Sequence, residues 1–390
     1  MARAGWEYSS PSEFRDRLAS FLIVPFYASL RMSADSSTRP FSVATSPEFP
    51  TWLASINSSI AFSTYQLGKI FFVGLKQPGR IGLFERTFNR CMGLWTDTET
   101  LWLASAFQLW RMENMLEASK VTEDNYDRLF VPMQASTTGD IDVHDLVVDK
   151  SGELFFINTL FCCVSRISEK HSFEPVWRPP FVSRLAAGDR CHLNGLATDE
   201  GQLRFATACA QTDSPGEWRE HRRDGGCVLD IQSNEVIASG LSMPHSPRVF
   251  DDRLWLLDSG NGYFGFVDRD KGQFEKVVFC PGYARGLAFI GKYAIVGLSK
   301  PREATFSGLA LDDELKKHNA APQCGIQVID LERGAVVQWM TISGNVEELY
   351  DVVTLPGVRM PKAFGTKTDE IRKNTWLSED GKLARWTAND

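Results

Sequence analysis

The stretch that decides the fold is Asn194-Gly-Leu-Ala-Thr-Asp-Glu-Gly-Gln-Leu-Arg-Phe-Ala-Thr207, where a short apolar run, a polar turn and a second apolar run follow one another. This order predicts two antiparallel strands joined by a tight turn. Four further segments repeat the pattern and begin at Met92, His144, His245 and Arg285. In chain order the five starts are separated by 52, 50, 51 and 40 residues, which is close to the period of a four-stranded propeller blade.

Further strand patterns extend the repeat to whole blades. Third and fourth strands follow three of the copies, at residues 226–230 and 235–239, 262–268 and 274–278, and 325–330 and 335–339. Three strands of a less regular first blade are predicted at residues 60–65, 69–73 and 80–84. The strand predicted at 348–355 has no second strand after it. We expect it to complete the first blade, because a lone strand would leave an unpaired edge.

The sequence therefore predicts an all-β fold, a six-bladed β-propeller, with seven blades as the alternative. A pair of β-sandwiches would explain the short strands but not the aligned period. We expect residues 1–48 to form a helical extension and linker, 49–360 the propeller and 361–390 a polar tail or cap. The extension has a helix start at Ser10, followed by Pro11. This helix is expected to pack on the propeller, or alternatively to bind a membrane surface or a partner.

Composition argues against several classes of function. The 390 residues carry 42 Lys and Arg against 49 Asp and Glu, a net charge of −7, whereas nucleic-acid binders need a basic surface. No apolar run approaches the ~18 residues of a membrane-spanning helix. The eight cysteines include no Cys-x-x-Cys pair, and the N-terminus lacks the order of a secretory signal. We therefore expect a cytoplasmic protein with reduced, buried thiols.

The repeat brings distant residues to the axis. The first strand of each blade lines the channel of a propeller, so the five starting residues Met92, His144, Asn194, His245 and Arg285 are expected to share one channel position. The residues two positions earlier should lie on the same strand face, and they are Asp142, His192, Met243 and Tyr283. Three of the six histidines of the chain therefore fall in this predicted ring.

Converging imidazoles and amide oxygens are the ligands of a divalent transition metal. We expect His144, His192, His245 and Asn194 to hold iron, copper, zinc or manganese, with Asp142 or Asp145 orienting the imidazoles. Such a metal would polarise a substrate oxygen or activate water. Metal-free binding or acid–base use of the histidines, and structural polar packing, are the two alternatives.

Cationic and aromatic residues complete the predicted site. Arg285 and Arg248 are expected to orient a carboxylate or phosphate group, with ion pairs to Asp351 or Asp258 as the alternative. Tyr283 and Asp142 join them as candidate catalytic residues. Two long connections, at 212–226 and 300–324, are expected to cover the channel mouth as lids, with a solvated loop as the alternative for the first.

The motifs resemble two known groups. The strings Cys-His-Leu-Asn-Gly-Leu-Ala at 191–197, Met-Pro-His-Ser-Pro-Arg at 243–248 and Arg-Gly-Leu-Ala-Phe at 285–289 resemble an uncharacterised family of mainly bacterial proteins that share a domain of unknown function. The resemblance covers about residues 48–362 and implies a propeller without assigning an activity.

More distantly, Asn194-Gly-Leu-Ala resembles the gluconolactonase and senescence-marker propellers. In that group channel-facing Glu, Asn, Asn and Asp residues hold a divalent metal for lactone hydrolysis. Asn194 matches, but His144, His245 and Arg285 stand where the other oxygen ligands would be. The resemblance therefore implies a more nitrogen-rich site, suited to iron or copper.

Together these observations predict a metal-dependent enzyme, hydrolase-like or oxygenase-like, that acts on a small anionic metabolite or peptide group in the channel. Water activation and oxygen chemistry remain open. The alternative is a non-catalytic propeller scaffold that binds a ligand or a protein. The sequence gives no indication of the oligomeric state.

Overall fold

The computed structural model describes residues 41–300, 308–380 and 382–387. Within these ranges the chain forms six sheets that each contain four antiparallel strands, arranged as the blades of a propeller. The predicted six-bladed fold is therefore confirmed. The helix predicted to begin at Ser10 lies outside the described residues.

The strands of each blade are given from the innermost outward. Blade 1 contains β25 (Val352–Pro356), β2 (Ser58–Thr64), β3 (Lys69–Gln77) and β4 (Arg80–Thr87). Blade 2 contains β5 (Leu94–Thr96), β6 (Thr100–Ala104), β7 (Gln108–Asn114) and β8 (Arg128–Thr137). Blade 3 contains β9 (Leu146–Val148), β10 (Leu154–Asn158), β11 (Cys163–Arg166) and β12 (Glu174–Trp177).

The second half of the ring repeats this order. Blade 4 contains β13 (Leu193–Asp199), β14 (Gln202–Ala208), β15 (Gly226–Asp230) and β16 (Glu235–Leu241). Blade 5 contains β17 (Pro244–Phe250), β18 (Arg253–Asp258), β19 (Tyr263–Asp268) and β20 (Gln273–Phe279). Blade 6 contains β21 (Tyr283–Ile290), β22 (Tyr293–Ser299), β23 (Gly325–Asp330) and β24 (Ala335–Ser343).

The ring closes through the strand that had no partner of its own in sequence. β25 pairs antiparallel with β2, with Ile60 opposite Thr354. Blade 1 thus takes its innermost strand from the C-terminal side and its other three from the N-terminal side, as predicted. Because an open sheet edge is a liability, this pairing ties the two ends of the propeller together.

Short additional strands and helices flank the blades. β1 (Ser42–Thr45) lies in the segment predicted as linker and adds a fifth strand to blade 6, beside β24. β26 (Pro361–Ala363) pairs parallel with β8 in blade 2. The segment predicted as a polar tail also contains an antiparallel hairpin of β27 (Asn374–Glu379) and β28 (Lys382–Thr387). The helices are α1 (Phe49–Ser55), α2 (Leu311–Lys317) and α3 (Glu370–Lys373), with a 3₁₀ turn at Glu217–Glu220.

Apolar side chains hold neighbouring blades together. Phe250 of blade 5 stacks on Phe289 of blade 6, with 4.5 Å between ring centroids and 3° between planes. Phe72 of blade 1 stacks on Phe130 of blade 2 at 6.1 Å. Burying a side chain of this size contributes about 1.5–3 kcal/mol relative to exposure. The face-to-face contact of similar sheets therefore supplies the core, and most aromatic residues serve it.

Polar residues and glycines alternate around the axis. They occupy the position just after each channel residue, where the inner strands of neighbouring blades meet. From blade 1 to blade 6 these residues are Asp351, Gly93, Asp145, Gly195, Ser246 and Gly286. Each polar side chain accepts a hydrogen bond from a backbone N–H of the next blade: Asp351 from Leu94 at 2.8 Å, Asp145 from Leu196 at 3.0 Å and Ser246 from Gly286 at 3.1 Å.

Two of the glycines show why no larger residue fits between the polar ones. A Cβ added to Gly93 would lie 3.1 Å from the Cα of Asp145. A Cβ added to Gly286 would lie 2.6 Å from the backbone nitrogen of Val352, and Gly286 has a φ of +75°. The alternation therefore lets each polar side chain reach the neighbouring backbone.

Two further expectations concern the chain as a whole. All eight cysteines are buried and unpaired, which confirms the prediction of buried thiols. In the ranges that the structure covers, no helix is long and apolar enough to cross a membrane.

Candidate functional site

Three histidines, one in an inner strand and two in the segments just before inner strands, meet at one end of the channel. The rings of His144 and His192 contact edge to face, with 4.8 Å between centroids. His245 lies close enough that both of these imidazoles lower its pKa electrostatically. All three side chains are buried. The structure thus brings together the three histidines that the repeat alignment singled out.

Backbone carbonyls fix the tautomer of two of these histidines. His144 Nδ1 lies 3.0 Å from the carbonyl oxygen of Asp142, and His245 Nδ1 lies 2.8 Å from that of Met243. Since a carbonyl oxygen only accepts hydrogen bonds, each Nδ1 carries the hydrogen. The Nε2 atom of each neutral ring is therefore left as a hydrogen-bond acceptor.

Hydroxyl groups extend this arrangement to the next blade. Thr159 Oγ1 lies 2.8 Å from His144 Nδ1 and donates to the carbonyl of Leu193 at 2.7 Å. Ser259 Oγ lies 3.2 Å from His245 Nδ1 and donates to the carbonyl of Ala284 at 2.7 Å. Because each hydroxyl hydrogen is used by a carbonyl, each hydroxyl oxygen is available to accept from its histidine. The two imidazoles are thus anchored in the same way.

The backbone around these residues departs from a regular strand. Asp142, His192 and Met243 have φ values of +58°, +51° and +48°. Residues with a left-handed backbone interrupt the regular alternation of side chains along a strand. The prediction that these residues share one face of the strand assumed that alternation. His192 reaches the site, whereas the carboxylate of Asp142 is 37% exposed and its Oδ2 lies 3.8 Å from His144 Nδ1. It is the carbonyl of Asp142, rather than the expected carboxylate, that orients His144.

Burial keeps two of the imidazoles neutral. Loss of hydration lowers the pKa of His144 to about 4, although the nearby charge of Asp142 acts in the opposite direction. Burial also lowers the pKa of His245 well below its ordinary value, helped by the positive charge of Arg285. At neutral pH both rings are therefore acceptors at Nε2 rather than cations.

His192 has a different environment. Its Nδ1 lies 3.1 and 3.0 Å from the two carboxylate oxygens of Asp189. Its ring stacks on Trp218 at 4.0 Å and 23°, and Trp218 Nε1 donates to Asp189 Oδ2 at 2.8 Å. Burial raises the pKa of Asp189, but His192 and Trp218 outweigh this effect and lower it overall. A carboxylate bound to Nδ1 orients an imidazole for proton transfer at Nε2.

A buried arginine adjoins the histidines. The guanidinium carbon of Arg285 lies 4.7 Å from the ring centroid of Tyr350 and 5.3 Å from that of Tyr283. Its Nη1 lies 3.6 Å from Oε1 of Glu348. Tyr350 also contacts His144, with 5.6 Å between ring centroids. Arg285 and Tyr283 thus lie at the predicted site, and the ion-pair partner of Arg285 is Glu348 rather than Asp351 or Asp258.

Asn194 occupies the channel position between the two neutral histidines. Its side-chain oxygen accepts from Thr207 Oγ1 at 2.7 Å. Its Nδ2 donates to Cys209 Sγ at 3.3 Å and lies 3.4 Å from His245 Nε2. The amide oxygen is therefore already engaged by the protein, and the amide N–H group contacts the acceptor nitrogen of His245.

Both long connections cover this end of the channel. Trp218, from the first connection, packs in one apolar cluster with Leu309, Leu311 and Leu315 from the second, and with Tyr283 of the channel wall. The two connections also contact each other, since Arg223 Nε donates to the carbonyl of Gly308 at 2.6 Å. The expectation that they cover the same face holds for the described residues, and the site lies beneath a lid.

Arg248 lies away from this site, towards the other end of the inner strands. Its Nη1 donates to Asp145 Oδ2 at 2.8 Å, and its Nη2 lies 3.7 Å from Asp351 Oδ1. It borders a cavity of about 280 Å³ together with residues such as Trp95 and Phe289. The structure therefore does not place Arg248 or Asp145 with the histidines. The bulge between His245 and Arg248 sets this position, and the alternative ion pair with Asp351 is the one observed.

The donor atoms do not form a metal centre as they stand. Among residues 41–300, 308–380 and 382–387, no group of three or more His, Cys, Asp or Glu side chains is arranged to hold a metal ion. The arrangement offers neutral acceptors, an oriented imidazole and a guanidinium instead.

Three residues of the site escaped the sequence reasoning. Asp189 lies in an irregular loop outside the repeat, so no alignment could find it. Tyr350 could have been found, because Tyr350-Asp351-Val352 aligns with His144-Asp145-Leu146 and places the tyrosine at the channel position of blade 1. Glu348 is two residues earlier, which matches the position of Asp142 and His192.

Comparisons with known proteins add a family. Residues 47–364 match the family described as "Domain of unknown function (DUF4915)". No curated protein matches the sequence. A chain of a nidogen–laminin complex is 12% identical, with a TM-score of 0.48 over 77% of this chain and 99% of that one.

Virginiamycin B lyase from Staphylococcus aureus is also similar in fold. A catalytically inactive variant with quinupristin is 10% identical, with a TM-score of 0.37 over 78% of this chain and 99% of that one. The selenomethionine protein is 11% identical, with a TM-score of 0.37 over 73% and 76%. At these identities no functional residue is transferred.

Proposed function

The chain belongs to the DUF4915 family, whose function is unknown, and from its channel we propose an enzyme that performs proton transfer on a small molecule held beneath the lid. His192, oriented by Asp189, is the general base. Arg285 binds an anionic group of the substrate. The alternative is a propeller that binds such a ligand without turnover.

The observation that carries this proposal is the contact between His192 and Asp189 under Trp218. Two carboxylate oxygens within 3.1 Å of Nδ1 and a ring stacked at 4.0 Å hold the imidazole in one orientation. Only 20% of the Asp189 side chain is exposed, and placing a charge there is costly unless it is paired. The arrangement matches what proton transfer requires of a base and its orienting group.

Each neighbouring residue has a role in this proposal. His192 takes a proton at Nε2 from a substrate group or a bound water, and Asp189 stabilises the imidazolium without itself becoming protonated. His144 accepts a hydrogen bond from the substrate at Nε2, whereas His245 Nε2 faces the amide of Asn194 at 3.4 Å and holds it in place. Arg285 neutralises an anionic group, and the lid excludes water, which strengthens these interactions.

The test combines binding and turnover. Purified full-length protein is incubated with a defined mixture of small carboxylates, amino acids and lactones, and each compound is followed by mass spectrometry. We expect wild-type protein to consume one compound class and the Asp189→Asn variant to be slower by about 10²–10⁴-fold, the usual worth of a positioned base. Binding that persists without turnover in the wild type would favour the non-catalytic alternative.

A metal-dependent enzyme is a second candidate. The observation that favours it is that all three histidines bind a protein acceptor at Nδ1, which is how surrounding groups usually orient metal-ligating histidines. A metal at His144, His192, His245 and Asn194 would require these side chains to shift. Elemental analysis of purified wild type beside a His144→Ala, His245→Ala double variant tests it, because equal and negligible metal in both excludes this candidate.

A further inference from the structure

We infer that the ligand of this site is a small zwitterion, an α- or β-amino acid, whose carboxylate binds Arg285 and whose primary ammonium binds the imidazole acceptors and Asp142. This inference rests on the proposed function and names its substrate class. Its first basis is charge. Three carboxylates, those of Asp142, Asp189 and Glu348, adjoin the site. The guanidinium of Arg285 lies among them with 11% of its side chain exposed, and the exposed Arg219 lies 3.9 Å from Asp189.

The excess of carboxylates disfavours a purely anionic ligand. Glu348 already balances Arg285, with 3.6 Å between Oε1 and Nη1, and Asp189 is engaged by His192 and Trp218. The carboxylate of Asp142 is the most exposed of the three, at 37%. A purely anionic ligand would add its charge to these carboxylates, whereas an ammonium group on the ligand offsets that charge beside Asp142.

Hydrogen bonding at each end supports the same class. An ammonium group has three N–H donors and no acceptor, and it suits the Nε2 lone pairs of His144 and His192, whose rings lie 4.8 Å apart. At the other end, the hydroxyl of Tyr350 is buried and has no hydrogen-bond partner within the described ranges. Together with Arg285 it offers two donors to a carboxylate.

The two ends are close together, which limits the length of the ligand. Tyr350 separates them: its ring lies 5.6 Å from that of His144 and 4.7 Å from the guanidinium of Arg285. The imidazole of His144 and the guanidinium of Arg285 therefore lie within about 10 Å of each other, so a small molecule that carries both charges can reach both.

The experiment compares matched ligands on the full-length protein. Thermal shift identifies which of the twenty common α-amino acids, β-alanine and γ-aminobutyrate stabilise the protein, and calorimetry then compares each hit with its des-amino and N-acetyl analogues. We expect the amino acid to bind at least about tenfold more tightly than either analogue, since a charge-assisted hydrogen bond contributes about 1.5–3 kcal/mol.

Variants assign the two ends. Asp142→Asn should lose most of the preference for the amino acid and keep the affinity for the des-amino acid, while Tyr350→Phe should weaken both ligands. Asp140→Asn is the matched control, because this residue is two positions from Asp142 and its 62% exposed side chain pairs with Arg90. A des-amino acid that binds as tightly as its amino acid overturns this inference but leaves the proposed enzyme intact. Absence of any stabilising amino acid also overturns it.

Discussion

The guanidinium of Arg248 in blade 5 lies 2.8 Å from the carboxylate of Asp145, which precedes the inner strand of blade 3. Asp145 in turn accepts a hydrogen bond from the backbone of blade 4, and Asp351 accepts one from blade 2. Since Arg248 also lies 3.7 Å from Asp351, one cation joins two carboxylates that each bridge neighbouring blades. The centre of the propeller is thus held by a buried ionic network.

Removal of this cation should destabilise the ring strongly. Arg248→Met leaves the buried carboxylates of Asp145 and Asp351 without their cation. Removing one partner of a buried ion pair costs about 3–5 kcal/mol. Denaturant unfolding measures the change. Arg269→Met is the control, because Arg269 is half exposed and lies 4.0 Å from Asp199, and such surface pairs contribute at most about 1 kcal/mol. Equal stability of the two variants would contradict the role of the network.

The same network predicts a pH dependence of stability. Burial raises the pKa of Asp351 to about 7, and the negative charge of Asp145 adds to this effect, while Arg248 opposes it. The folded protein therefore keeps a proton that the unfolded chain releases near pH 4. Between about pH 4 and 7 the contribution of Asp351 to the free energy of unfolding should fall as pH rises, because the folded state holds this proton. His144 and His245, whose pKa values burial lowers, contribute the opposite slope below about pH 6.5.

Asp351→Asn removes this titration, so the slope of its unfolding free energy against pH should be more positive over that range than the slope of the wild type. Urea unfolding at several pH values measures both slopes. The variant keeps the slopes that arise from Asp258, whose pKa burial raises to about 6, and from His144 and His245, whose pKa values burial lowers. Identical slopes in the two proteins would show that Asp351 is ionised throughout.

Much of the fold could be predicted because each blade buries the same faces and so repeats the same sequence pattern. β15 and β23 have the predicted bounds, and β25 closes the ring as expected. The site was harder to predict. Asp189 lies outside the repeat, and the bulge after His245 shifts Arg248 away from the position that regular alternation would give it.

The glycines at the axis provide a third prediction. Gly286→Ala adds a Cβ 2.6 Å from the backbone nitrogen of Val352 at a φ of +75°, whereas Gly291→Ala adds one in open space at a φ of +54°. Both variants incur the cost of a left-handed backbone, about 1–2 kcal/mol. The clash should cost Gly286→Ala about 1–3 kcal/mol more. Thermal unfolding compares the two, and an equal loss would mean that the inner strands can separate freely.

Trp218 should control access to His192. Its ring stacks on the imidazole at 4.0 Å and is itself 5% exposed. Trp218→Ala removes that cover, so His192 should react with diethyl pyrocarbonate several-fold faster than in the wild type. Trp218→Phe keeps an aromatic ring over the imidazole and should stay close to the wild-type rate, although it loses the hydrogen bond to Asp189.

Peptide mapping by mass spectrometry can follow each histidine separately in this experiment. His318, with 40% of its side chain exposed on the last turn after α2, is the internal reference and should react equally in all three proteins. His144 and His245 are covered by other residues and should remain slow. If His192 reacts at the same rate with and without Trp218, something other than the lid shields it. The proposal that the lid excludes water from His192 would then be wrong, because the channel wall alone would shield the imidazole.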